Sequence, residues 1–301
     1  MIDLVSIIVT THKGSDSIKR AVESVVNQTY SPIEIIVVDD NGLGTEEQIK
    51  TEQIVSTFKN VKYIAHEVNQ NGSVARNTGA RASNGKWLSF LDDDDEFLPT
   101  KIEKQINKFR VLGCEYGLVY CSFENIDETG KQTIEIADKS GYILAAYMTN
   151  QVIIATSLFI IRKSVFDEMA GFDESFRRHQ DWEFVARVAS KYKIAFVKDV
   201  CVVKHSINRS LPKDVEMMEN YRMHYLKKLQ NTICMLREKE RKKVYCYHYL
   251  CFVKEYVKKG RYNKFFMYMK ESKAPLLFCG MFLNDCIRSI YRKFLKQQMN
   301  N

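Results

Sequence analysis

The chain has eight cysteines (Cys114, Cys121, Cys201, Cys234, Cys246, Cys251, Cys279 and Cys286) but no C-x-x-C pair. Scattered among apolar neighbours, they read as reduced core or surface thiols, and this favours the cytosol. No run of about 18 apolar residues occurs, so no transmembrane helix is expected. Met1-Ile2-Asp3 enters a strand-like segment without a basic start, and no secretory leader is expected. There is no internal repeat and no low-complexity segment. Also missing is a G-x-G-x-x-G loop after the first strand. That stretch is Thr10-Thr-His-Lys-Gly-Ser-Asp16, which excludes the dinucleotide-binding reading, and no Walker A loop is present either.

With 301 residues, 45% hydrophobic and 27% charged, the chain can bury a real core as one large or two ordinary domains. Its net charge of +8 conceals a division. From Tyr221 to Asn301 there are 19 Lys and Arg against 5 Asp and Glu, a net of +14, whereas residues 1–220 carry 26 against 32, a net of −6. The same tail holds 15 of the 33 Phe and Tyr. Two regions with different roles follow: 1–215, divided near 98, and a helical, basic, aromatic-rich region over 216–301.

In the first region, apolar runs at Ser6–Thr11, Glu34–Asp40, Val61–Ala65 and Trp87–Leu91 read as four strands. Helical patterns lie between them. The first has a stripe of Ile18, Ala21, Val22, Val25 and Val26 with Ser15 or Asp16 as cap; the others run from Glu46 to Phe58 and from Gly72 to Ser83. Such alternation predicts an α/β fold with a mostly parallel sheet covered on both faces. Further strands are expected at Tyr116–Cys121, Thr156–Ile161 and, as one or two short pieces, Ile194–Val203. A hairpin or lid is expected over Glu124–Ser140, and a helix opens at Asp181.

Strands two and four end in carboxylates, at Asp39-Asp40 and at Asp92 to Asp95. In this topology both ends reach the same sheet edge, where open α/β sheets bind ligands. Four adjacent carboxylates repel one another, and a hard divalent cation relieves that repulsion. The plainer reading is a solvated acidic turn capping the helix after Pro99.

Several spaced segments resemble the inverting glycosyltransferases of family 2 with the GT-A fold (nucleotide-diphospho-sugar transferase, Rossmann-like), over roughly Leu4 to Leu211. Ser6-Ile-Ile-Val-Thr-Thr-His12 is similar to S-V-I-x-P-T-Y-N, Val37-Val-Asp-Asp-Asn-Gly42 to V-V-D-D-G-S, and Asn71-Gly-Ser-Val-Ala-Arg-Asn-Thr-Gly79 to G-x-x-x-A-R-N-x-G. Phe90-Leu-Asp-Asp-Asp-Asp95 resembles F-L-D-x-D-D. Gly171-Phe-Asp-Glu174 with Gln180-Asp181-Trp-Glu183 resembles G-G-F-D-E…E-D-W-D-L, with Gln180 and Glu183 departing from it.

The resemblance implies a nucleotide-sugar donor, UDP-linked, bound by Thr10, Thr11, His12, Asp39, Asp40, Arg76, Asn77, Asp92 and Asp93. It implies Mn²⁺ or Mg²⁺ held by Asp94 and Asp92, with His205 from Lys204-His205…Ser210 as a third ligand, to the metal or to the diphosphate. Asp93 reads as the spacer, Asp95 as a carboxylate behind the metal or on the acceptor side, and Asp181 as the general base. The implied reaction is transfer to a hydroxyl of a glycan or lipid-linked glycan in surface polysaccharide synthesis. A metal neutralises the leaving diphosphate, Arg76 adds charge-assisted hydrogen bonds, and one base with one displacement inverts the anomeric centre.

Each residue also has a structural alternative: Asp39 and Asp181 as caps, Arg76 as an ion-pair partner, His12 as loop lining, His205 as a surface histidine. For the whole chain the rivals are a sugar-1-phosphate nucleotidyltransferase and a catalytically silent docking scaffold. The tail resembles no named family. Tyr245, Tyr249, Phe252 and Tyr256 share one helix face, and Pro275–Leu283 precedes Ile287, Ile290, Tyr291, Phe294 and Leu295. They point either to packing and self-association or to an anionic membrane at the inner face of the cell. No motif supports nucleic acid.

Overall fold

The computed structural model describes residues 3–206 and 214–299. The chain divides into two compact units, Met1–Arg209 and Ser210–Asn301.

The first unit is built on one mixed sheet. β1 (Val5–Thr11), β2 (Ile33–Asp39), β3 (Val61–Ala65) and β4 (Trp87–Asp92) are its parallel half, in the order β3-β2-β1-β4. Val5 to Val9 and Trp87 to Leu91 are buried without interruption, as strands covered on both faces must be. One face packs Ile7, Val9, Val37 and Leu91 against α1 (Ile18–Val26) and α4 (Lys101–Arg110). On the other, Phe90 enters an aromatic cluster with Phe159, Phe166, Phe172 and Phe184.

The second half departs from a parallel arrangement. β8 (Phe159–Arg162) runs antiparallel to both β4 and β6 (Tyr116–Asp127), while β9 (Lys193–Ser206) runs parallel to β6. β6 turns back into β7 (Gln132–Glu135), so the polar stretch after Phe123 is a hairpin. β5 (Glu96–Phe97) adds to β9 antiparallel at the far end. β9 is one long strand where one or two short ones were expected; irregularities near Ser122 keep it in register with β6.

α1 buries Ile18, Ala21, Val22 and Val25, but Val26 is exposed. Its N-cap position is Ser17, not Ser15 or Asp16, and the Ser17 hydroxyl donates back to Gly14 O instead of capping a helix N–H.

The second unit holds α8 (Val215–Lys228), α9 (Gln230–Cys234), α10 (Glu238–Lys258), α11 (Tyr262–Glu271) and α12 (Pro275–Met299). Tyr249, Phe252 and Tyr256 face inward. The rings of Tyr249 and Phe252 each lie 4.8 Å from Tyr268, and Glu219 accepts from the hydroxyls of Tyr256 and Tyr268. This aromatic face is therefore the core of the helical unit. The side chains of Ile290, Tyr291, Phe294 and Leu295 and the segment Asn208 to Leu211 lie outside the described residues. No described helix is long and apolar enough to cross a membrane.

Candidate active site

Parallel pairing with β1 in the centre sets the site. Thr10 is in register with Val38 of β2 and Asp92 of β4, and Thr11 with Asp39. Thr10, Asp39 and Asp92 therefore come to one edge of the sheet although they are far apart in sequence. A cavity of about 280 Å³ opens there, lined by Thr10, Thr11, His12, Asp40, Gly72, Ala75, Arg76, Asp92, Asp93 and Asp94. Asp39, Asn77, Asp181 and His205 are not in its lining.

The loop after β1 is tied to the acidic turn. Asp93 accepts from Thr11 Oγ1 at 2.6 Å and from the His12 N–H at 3.2 Å. Gly14 is required for this approach, since a Cβ there would lie 1.8 Å from Asp93 Oδ2.

The end of β2 is committed to the protein itself. Asp39 is fully buried and accepts from Tyr63 Oη at 2.7 Å and the Asn41 N–H at 2.8 Å; burial raises its carboxyl above the ordinary range. Asp40 reaches the cavity wall while pairing with His66 Nδ1 and accepting from Asn69 Nδ2 and the N–H groups of Gln70 and Asn71, all within 2.9 Å. It thereby holds Asn71 at φ +98°, where the Asn71 side chain caps α3 (Gly72–Arg81) by accepting from the Ser73 N–H.

α3 delivers Arg76. Its guanidinium donates to Asp92 Oδ1 and to Gln180 Oε1, both at 2.6 Å, with Phe172 beneath it at 5.6 Å. Gly72 leaves room for this pair, as a Cβ would sit 2.9 Å from both Arg76 Nη1 and Gln180 Oε1. Gln180 thus orients the arginine with a neutral oxygen. Asn77 clamps the Gly171–Glu174 turn, donating to Phe172 O at 2.9 Å and accepting the Phe172 N–H at 2.9 Å. Glu183 is buried and pairs with Arg187, which in turn donates to Gly171 O. Asn77 and Glu183 shape the turn without lining the cavity.

The four aspartates divide sharply. Asp92 is paired with Arg76, Asp93 with the β1 loop, and Asp95 is fully buried against Ser157 Oγ at 2.6 Å and the Lys204 ammonium. Asp94 alone among them faces the cavity with no hydrogen-bond partner for its carboxylate among the described residues. Burial, then the charges of Asp95, Asp92 and Asp93, push that carboxyl up to about 7. For Asp92 burial also works upward, but the Arg76 and Lys204 charges outweigh it and hold the group below the usual range. His205 turns to Glu96, with Nε2 2.6 Å from Oε1, and Arg20 pairs with the same carboxylate. The expected third metal ligand thus stands outside the cavity.

Asp181 lies in the first turn of α7 (Gln180–Lys191) and accepts the Trp182 N–H at 2.9 Å through Oδ1. Burial pushes its carboxyl up to about 6, while Arg76 and Lys204 pull it down and Asp92 pushes it up, so it shares the field of the cluster.

Among the described residues no three His, Cys, Asp or Glu side chains form a ready-made metal group. A hard divalent ion held by one or two carboxylates plus substrate phosphates needs none. Asp94 and the Asp92 oxygen left over by Arg76 fit that donor set.

Sequence reasoning passed over Lys204, Ser157 and the role of Gln180. The one available signal was a lysine closing the apolar run Cys201-Val-Val at the same sheet edge.

A parallel sheet whose strands end in carboxylates, beside an arginine delivered by a glycine-led helix, is the arrangement of an α/β protein that binds its ligand at the carboxyl ends of its strands. The family model described as Glycosyl transferase family 2 matches residues 6–170, and the chain belongs to that family; it is a glycosyltransferase. A Haemophilus influenzae protein named an uncharacterized glycosyltransferase is 28% identical over 246 residues, covering 76% of this chain and 79% of that one. A Rickettsia bellii protein of the same description is 32% identical over 207 residues, covering 65% of this chain but 29% of that one. Among solved structures, S. aureus TarS 1-349 in complex with UDP aligns with a TM-score of 0.61 at 15% identity, over 80% of this chain and 69% of TarS. The TarS complex with UDP-GlcNAc gives 0.61 at 14%, over 80% and 70%. At these identities the two structures establish the GT-A-like fold.

Proposed function

We propose that this chain transfers a sugar, with inversion, from a UDP-linked donor to a hydroxyl of a glycan or lipid-linked glycan in surface polysaccharide synthesis, using Mn²⁺ or Mg²⁺. The observation that carries this reading is the unpartnered Asp94 facing a cavity walled by Thr10, Thr11, His12 and Arg76. The UDP held by the TarS structure supports the choice of nucleotide.

In this reading residues up to about 98 hold the nucleotide and 99–215 the acceptor. Thr10, Thr11, His12 and Asp40 line the base and ribose side. Asp39, Asp93 and Asn77 fix the loops that shape it. Asp94 and Asp92 would hold the metal, which when bound would supply positive charge to the departing diphosphate. Arg76 donates to the same phosphates. Asp181 takes the acceptor proton on its second carboxylate oxygen as the acceptor oxygen bonds to the anomeric carbon. The bond from that carbon to the diphosphate breaks with its electron pair leaving on UDP. A panel of UDP-sugars assayed for UDP release with and without Mn²⁺ tests the proposal: at least one donor should turn over only with metal, and none turning over would sink it.

Two further results are expected. Gly14→Ala should drive Asp93 from its seat and lower turnover about 100-fold, with little change in melting temperature, read by the same assay and by calorimetry. In the helical unit, exposed Phe266, Met267, Leu276, Leu283 and Ile287 accompany exposed Lys270 and Lys273. This is the pattern of a surface that lies on anionic lipid. The chain should float with liposomes containing anionic lipid and not with neutral ones; failure to float would favour packing on protein.

A further inference from the structure

Lys204 sits near the end of β9 and pairs with Asp95, whose carboxylate also accepts from Ser157 Oγ. Ser157 in turn accepts the Asp92 N–H at 3.2 Å, so the pair is anchored to the end of β4. The Lys204 side chain keeps 21% of its surface open, while that of Asp95 keeps 1%. Its charge bears on Asp92, Asp94 and Asp181 as well as on Asp95. Four carboxylates (Asp92, Asp94, Asp95 and Asp181) thus share the field of Lys204, Asp92 and Asp181 that of Arg76 as well, and a nucleoside diphosphate would add more negative charge to the same place. Arg76 is already engaged by Asp92 and Gln180. Nothing in the reaction described above uses Lys204.

We propose that Lys204 is a positioning residue of the donor site, a fixed cation that holds Asp95 away from the metal and supplies part of the positive potential met by the diphosphate. The inference rests on the donor-site reading above. It has an unusual signature, because a cation inside an acidic cluster opposes a metal ion and favours an anion. Removing its charge should therefore move the two affinities in opposite directions, each by about tenfold for one unit charge at this range. A residue that only supports the fold would weaken both.

The test is a set of calorimetric titrations of the full chain with MnCl₂ alone and with UDP in the presence of EDTA. Lys204→Gln, which keeps a hydrogen-bond donor for Asp95, is expected to bind Mn²⁺ about tenfold more tightly and metal-free UDP about tenfold more weakly. Lys204→Arg should restore both values. Asp95→Asn, which frees the ammonium from its partner, should shift both the other way, and it keeps the test decisive if Lys204→Gln does not fold. Unchanged affinities in these variants, or parallel loss of both, would overturn the proposal. A wild-type chain that binds neither ligand would instead overturn the donor-site reading, and this inference with it.

Discussion

Asp181→Asn is expected to abolish sugar transfer, lowering turnover by about a thousandfold, while UDP affinity measured by calorimetry is kept or rises, since one negative charge is removed. The asparagine keeps the shape of the side chain and can still accept the Trp182 N–H, but it cannot take a proton. Charge on Asp181 is needed only as the acceptor oxygen attacks, so binding and chemistry should separate cleanly. The carboxyl sits at about 6, which sets the sign of the pH dependence. A general base works in its ionised form, so at saturating Mn²⁺ kcat/KM should be level above about pH 7 and fall about tenfold per unit below pH 6. Transfer retained in Asp181→Asn would place the base elsewhere.

Asp94→Ala should remove the metal requirement together with most of the activity, a loss of about 100-fold or more in turnover. Titration with MnCl₂ should show the loss of affinity directly, and Asp94→Asn should weaken it in the same direction because the amide carries no negative charge to attract a divalent cation. Since the free carboxyl is raised to about 7, Mn²⁺ must compete with a proton below that pH. Apparent Mn²⁺ affinity should therefore rise between pH 6 and pH 8, with proton release visible as a dependence of the binding enthalpy on buffer. Unchanged Mn²⁺ binding in Asp94→Ala would move the metal to other ligands.

The parallel half of the sheet was legible because its strands are continuous apolar runs and its crossovers are helices with readable stripes. Once those four strands are parallel, the meeting of Thr10 with Asp92 and of Thr11 with Asp39 follows from register alone. The illegible parts depend on partners distant in sequence. Asp95 meets Ser157 and Lys204, 62 and 109 residues further on, so its burial has no local sign. Asp39 looks like a ligand carboxylate by position, but Tyr63 on the neighbouring strand takes the oxygen that would be offered. Lys101 looks like a solvent-facing residue in the first turn of α4. It is in fact fully enclosed, donating to Ser89 Oγ at 3.0 Å and Gln105 Oε1 at 2.9 Å, with its pKa pushed down to about 8 by burial. The aromatic face of α10 was compatible with lipid or with packing, and only the position of Tyr268 shows that it is filled from within.

The division of labour among Asp92, Asp93, Asp94 and Asp95 is the centre of this account, and one titration tests it most directly. UDP is titrated calorimetrically into the wild-type chain with Mn²⁺ and again with EDTA. Saturable binding of one UDP per chain, at least about tenfold tighter with the metal, is expected, because Asp94 and Asp92 would hold a cation that also attracts the diphosphate. Equal affinity with and without Mn²⁺, or no binding in either case, would contradict it.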